Sequence, residues 1–268
     1  MIDWSAVQGV TAIVQSVHQI FGNTLTNRRK DSTTSSETLI GQQVDNEESV
    51  ERYQVLLGRR HKFLREEILL LNPRQMSDFY GFEKVAYLED YENGLDEFPT
   101  ESIKRLVQVF FIRPEYLQES REPIFTSFDI ISKREDSIRL LEQEFKPYFL
   151  CSPNFDKDGE AYLVFHKEDD GYSRMIKSNT VGGFYSSGGG ANNVHTLILT
   201  MLNLDLNPDK LYIPFLNVKL DEWKKLETGC WYNKNMGGYV GAANNTARDI
   251  FEKWFKDQYK FEKDLNNY

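Results

Sequence analysis

The sequence predicts an α+β fold, in which an all-α N-terminal part precedes a C-terminal α+β domain whose sheet is mainly antiparallel. Three observations predict it. Between Arg59 and Leu117, apolar residues recur every three or four positions in short segments broken by glycine and proline, the spacing of packed helices. Beyond Gln118, short runs rich in β-branched and aromatic residues appear instead. Those runs and the helices among them do not alternate as repeated βαβ units, which argues against a doubly wound parallel sheet.

Composition sets the limits. A chain of 268 residues, 40% hydrophobic and 13% aromatic, holds enough core material for one to two domains. With 41 Asp+Glu against 32 Lys+Arg, the field of the whole chain repels phosphate, so any nucleic-acid contact must come from a local basic patch.

The elements follow in order. Over residues 1–26, Val7, Val10, Val14, Val17 and Phe21 repeat at steps of three and four, with Trp4, Ile13 and Ile20 broadening the stripe. This predicts an amphipathic helix that packs either on the chain's own bundle or in a dimer seam, with His18 a surface or seam residue. The stretch has no charged n-region, and Gln15, Ser16, His18 and Gln19 interrupt its apolar residues. A secretory or membrane segment is therefore not expected, and the chain reads as cytoplasmic. Residues 27–48 form a polar linker in which Arg28-Arg29-Lys30 is a short basic arm.

Residues 49–120 carry the most information. Segments Arg74–Tyr80 and Glu83–Tyr91 flank Gly81, a second stop falls at Asn93-Gly94, Pro99 opens another helix, and Ile103 to Phe111 closes the set. Two short helices joined around a glycine make a helix-turn-helix unit. In order and spacing the stretch resembles the Cro/repressor-like (XRE) helix-turn-helix family. Met76 matches the apolar anchor of the second helix, Ser77 the small residue where helices approach, Gly81 the turn glycine, and Tyr91 to Gly94 the end of the third helix. The resemblance implies a helical bundle, double-stranded DNA as partner, a homodimer that pairs half-sites, and a role in transcription regulation. Two departures stand out. One residue more than usual separates Gly81 from Gly94, which predicts an extended or bulged recognition helix, and Pro73 replaces a glutamine often found in the family.

Charge assigns candidate roles in this region. Arg59, Arg60 and Arg74, with Arg52, Lys62 and Arg65 nearby, read either as phosphate contacts or as a solvated helix face pairing with Glu66 and Glu67. Lys84 and Tyr87 are the candidates for base or phosphate contact, whereas Met76, Val85, Leu88, Ile103 and Leu106 read as core. Between Gly81 and Pro99, Glu83, Glu89, Asp90, Glu92, Asp96 and Glu97 oppose Lys84 alone. An acidic helix of that kind works against phosphate, so an interaction adaptor that docks a basic protein partner is the alternative reading.

Residues 121–268 read as a sensor or partner-binding domain. Ser132 is expected to cap a helix with the stripe Ile138, Leu141 and Phe145, ended by Pro147. Strands are expected at Tyr148–Cys151, Ala161–His166, Tyr172–Ile176 and Leu211–Val218, with Asp170-Gly171 as a hairpin turn. Helices follow at 194–202 and 246–261, the latter with Ile250, Phe251, Trp254 and Phe255 on one face. Two glycine-rich loops precede those helices. Gly188, Gly189, Gly190 and Asn193 in the first, and Gly241 and Asn245 in the second, either cradle an anion at a helix N-terminus or supply turns and caps. Such a site would suit a nucleotide- or phosphate-handling enzyme, but neither loop matches a nucleotide-binding fingerprint. Cys151 and Cys230 lack metal-ligand spacing, and HExxH and GxSxG are absent. His166, His195, Arg174 and Asp169-Asp170 make no defensible constellation, so no catalytic residue, metal or cofactor is assigned.

Overall fold

A computed structural model describes residues 53–119, 123–128, 134–169, 171–178, 184–185, 194, 197–202, 213–233, 236 and 242–265. The chain divides into two compact units, Met1–Ser120 and Arg121–Tyr268. The expected N-terminal helix, the linker with its basic arm, and Arg52, Gly188, Gly189, Gly190, Asn193, His195 and Gly241 lie outside the described residues.

The described part of the first unit is helical. Helix α1 (residues 53–63) runs straight into a single π-turn, Leu64–Ile68. The turn closes through Leu69 N–H to Leu64 O at 2.8 Å and Leu71 N–H to Arg65 O at 2.9 Å, with Leu70 left-handed at φ 53°. Helix α2 (Pro73–Tyr80) starts with a capping box between Asn72 and Gln75, has Pro73 in its first turn and stops at left-handed Gly81 (φ 77°). Pro73 thus serves the helix start. Helix α3 (Val85–Glu92) is an unbroken eight residues, so the expected extension or bulge is corrected, and Glu83 and Lys84 belong to the turn before it. Helix α4 (Thr100–Phe110) follows Pro99, and α5 (Pro114–Glu119) ends the set. Leu64, Met76, Leu88, Leu106, Phe110 and Leu117 form the buried core, while Val85 and Ile103 are half-buried.

Two glycines set the approach of α1 to the end of α3. A Cβ at Gly58 would lie 2.5 Å from the Glu92 carbonyl oxygen, and one at Gly94 would lie 2.7 Å from Val55 Cα. No side chain fits between those backbones.

The second unit is α+β. A six-stranded sheet has the order β1-β4-β3-β2-β5-β6, formed by Ser127–Phe128, Lys146–Cys151, Ala161–Asp169, Tyr172–Ser178, Phe215–Asn217 and Ala242–Ala243 numbered along the chain. The long central pairs β2·β3 and β3·β4 are antiparallel, and the short pairs β1·β4 and β2·β5 are parallel. The expected hairpin stands, with Asp169 opposite Tyr172 and Gly171 at φ 88°. Both sheet faces are covered. Tyr148, Leu150, Tyr162, Val164 and Met175 pack with Trp223 and Leu226 of a helix at Leu220–Glu227. On the other face Phe149 and Phe215 stack at 4.8 Å and meet Phe251 of the long helix Asn245–Leu265. Burial on both sides explains the near-continuous apolar runs of β2 and β3.

Three local expectations are corrected. The helix before β2 spans Arg134–Glu142, and Phe145 lies beyond it as a buried residue after left-handed Glu144. Among its described side chains Ser137 and Leu140 are buried, Ile138 and Leu141 only half-buried, and Pro147 sits inside β2 rather than ending a helix. The fourth expected strand shrinks to Phe215–Asn217.

Candidate nucleic-acid interface

Helix α3 is fixed to α1 and α2 by a buried polar cluster built on Glu92. Leu57, His61 and Leu64 follow one another at steps of four and three along α1 and into the π-turn, and Val85, Leu88 and Glu92 do so at three and four on α3. This periodicity carries His61 and Glu92 onto apolar faces, and Arg65 beside them reaches the same carboxylate. Arg65 donates from Nε to Glu92 Oε1 at 2.8 Å and from Nη2 to Oε2 at 2.7 Å, a two-point grip on a carboxylate only 4% exposed. Its Nη1 also donates to the Leu71 carbonyl at 3.2 Å, just beyond the π-turn. His61 Nδ1 lies 2.9 Å from Glu92 Oε1 and Nε2 lies 2.7 Å from Tyr80 Oη.

Electrostatics assigns the protons in this cluster. Burial raises the Glu92 carboxyl, but the hydrogen bonds from Arg65 and His61 and their charges outweigh it and hold the group at about 2. Burial lowers His61 below the usual histidine range despite the pull of Glu92. A carboxylate can only accept, so neutral His61 donates from Nδ1 and accepts the Tyr80 O–H at Nε2. Every member then has a partner, and α3 is oriented by groups on two other helices.

The structure divides the expected contact residues. Arg59 is exposed on α1, and Lys84 and Tyr87 are exposed at the start of α3, the ammonium 6.0 Å from the Tyr87 ring centre. Arg74 is exposed but paired with Asp78 at 3.1 Å. Arg60 is turned inward: its Nη1 donates to the Leu117 carbonyl at 2.8 Å and to the Gln118 carbonyl, tying α1 to α5, so its place as a phosphate contact is corrected. Arg65 is likewise internal and pairs with Glu66 as well as Glu92. Glu92 does not belong to the acidic surface at all. Sequence reasoning missed Arg105, whose exposed guanidinium lies 4.8 Å from the Phe79 ring centre.

What α3 shows to solvent changes along its length. Lys84, Ala86 and Tyr87 are exposed around its first turn with Glu83 just before it, and Glu89 and Asp90 are exposed on its second. In a helix-turn-helix protein the N-terminal residues of the second helix meet base edges, and that end is the less acidic one here.

After the second glycine loop, the helix cap falls one residue before the expected Asn245. Asn244 Oδ1 accepts from Ala247 N–H at 2.8 Å, and Asn244 Nδ2 donates to Asn217 Oδ1 at 2.8 Å. Asn244 is therefore the cap, and Asn245 is the exposed first residue of the helix. His166 is a buried strand histidine in edge contact with Tyr148, and its Nε2 has no hydrogen-bond partner. Asp169 pairs with Arg174 on the opposite sheet face from His166, so these three do not converge. Cys151 and Cys230 are free thiols, and among the described residues no group of three or more His, Cys, Asp or Glu is placed to share a metal. No helix there is long and apolar enough to cross a membrane. No family model, curated protein or solved structure matches this chain.

Proposed function

We propose that the helical unit is an XRE-like helix-turn-helix module that binds double-stranded DNA through α3, in a cytoplasmic homodimeric transcriptional regulator. The observation that supports this reading most is the Glu92 cluster: it takes one acid out of the surface and fixes α3 with Lys84 and Tyr87 outward on its first turn. Lys84 suits guanine acceptors or a phosphate, Tyr87 a base edge or sugar, and Glu83 an exposed cytosine amino group. Arg59 and Arg74 supply the positioning contacts to phosphate, and Arg60 leaves that set. Pairing of two copies is assigned to the apolar stripe of residues 1–26, whose removal should lower the molar mass in light scattering. Fluorescence titration of a labelled duplex tests the proposal. Affinity should fall steeply with salt, and Arg59→Ala and Arg74→Ala should each flatten that slope by about one. No binding at low salt would overturn it.

One observation favours a second reading. Leu95 is 76% exposed beside exposed Glu89, Asp90, Asp96 and Glu97, an acidic surface with an apolar centre that suits a basic protein partner. Under this reading Leu95→Asp abolishes capture of the partner, and duplex DNA is not bound.

A further inference from the structure

Sheet edge β1 and the end of helix Leu220–Glu227 line an open pocket of about 330 Å³ in the second unit, a size that admits a small metabolite. Its surface is mostly polar, with Lys177 and Glu227 as the charged side chains that line it and Pro123, Phe125 and Tyr162 beside them. The wall is built by a close approach: Phe125 N–H donates to the Gly229 carbonyl at 3.0 Å, and a Cβ at Gly229 would lie 2.4 Å from Pro123 Cβ. Lys177 reaches the pocket from β4, opposite Ser127 of β1, with its ammonium 4.6 Å from the Tyr162 ring centre.

The two charges do not satisfy each other. Among the described residues no carboxylate forms an ion pair with Lys177, and Glu227 Oε1 is held in place by the Trp223 indole N–H at 2.9 Å. Burial lowers the Lys177 amine below the usual lysine range, the state of a half-buried cation whose compensation is a ring face rather than an anion. A half-buried ammonium and an exposed carboxylate pre-oriented by Trp223 line one open pocket and present complementary charge to a molecule that bears both signs.

We infer that this pocket binds a small amphoteric carboxylate, of the chemical class of free α-amino acids, with the ligand carboxylate on Lys177, its ammonium on Glu227 and its apolar body against Phe125 and Pro123. The inference goes beyond the DNA reading and does not rest on it. Contact with Phe125 and Pro123 favours a ligand with an apolar side chain over one with a second charge, for which the pocket has no further partner.

Calorimetric titration of the full chain tests this, using the common amino acids one by one, benzoate as a carboxylate without an amine, and inorganic phosphate. An apolar or aromatic amino acid should bind. Lys177→Met should weaken it about ten-fold to a hundred-fold, the loss of one hydrogen bond between charged groups, while the unliganded protein keeps its melting temperature. Glu227→Gln should weaken the amino acid and leave benzoate unchanged. Silence of the whole panel at millimolar concentration would overturn the inference, as would amino-acid binding that Lys177→Met leaves intact. Binding of phosphate in preference to every carboxylate would overturn the ligand class.

Discussion

Arg65 and Glu92, 27 positions apart in the chain, meet inside the helical unit in a two-point ion pair with contacts of 2.8 and 2.7 Å. Such a pair stabilises little beyond what well-packed apolar residues would, because both ions lose their hydration; breaking it from one side is what costs. Arg65→Met should therefore destabilise the unit by about 3–5 kcal/mol, since Glu92 stays buried with only His61 beside it. Urea unfolding followed by circular dichroism measures this. A loss below about 1 kcal/mol would mean that the carboxylate escapes to solvent.

Acid should weaken the same unit, and the sign follows from proton uptake. The unfolded chain protonates His61 near 6.5 and Glu92 near 4.5, whereas folded His61 titrates lower and folded Glu92 at about 2. Between those values the unfolded state binds more protons, so stability falls as the pH drops from about 6.5 toward about 2. Glu92 alone accounts for about 3 kcal/mol of that change. Unfolding midpoints measured at neutral pH and near pH 4 should differ, and Glu92→Gln should flatten the acidic part of the curve. A midpoint independent of pH across this window would contradict the assigned protonation states.

Gly58→Ala sets two effects against each other. Alanine in a helix interior is favoured by up to about 1 kcal/mol, whereas its methyl would stand 2.5 Å from a carbonyl oxygen of α3. Forcing a methyl into a filled site costs about 1–3 kcal/mol, so the net effect should be a loss of stability. A variant more stable than the parent would show that α1 and α3 separate freely.

How much of this was legible in the sequence depends on the range of the interaction. Gly81, Pro99 and Gly171 act on their own backbone, and the helices and hairpin they delimit appear where expected. Glu92 was misplaced on the surface because an acidic run hides it. The signal that places it inward is its position on the Val85, Leu88 stripe, together with His61 on the Leu57, Leu64 stripe. Arg60 gives no such signal, since its partners are backbone carbonyls almost sixty residues away. Asn244 and Asn245 are equally good caps by type, and only the hydrogen bond to Ala247 separates them. The pocket at Lys177 draws on a connector, three strands and a helix end, with no local pattern to announce it.

The outward end of α3 bears the central claim, and selection from a pool of random duplexes at low salt tests it most directly. The account predicts enrichment of a defined sequence, with Lys84→Ala or Tyr87→Ala changing the preferred base at one or two positions and costing about 1–3 kcal/mol on the parent site. Recovery of no preferred sequence, or of one that both substitutions leave unchanged, would contradict it.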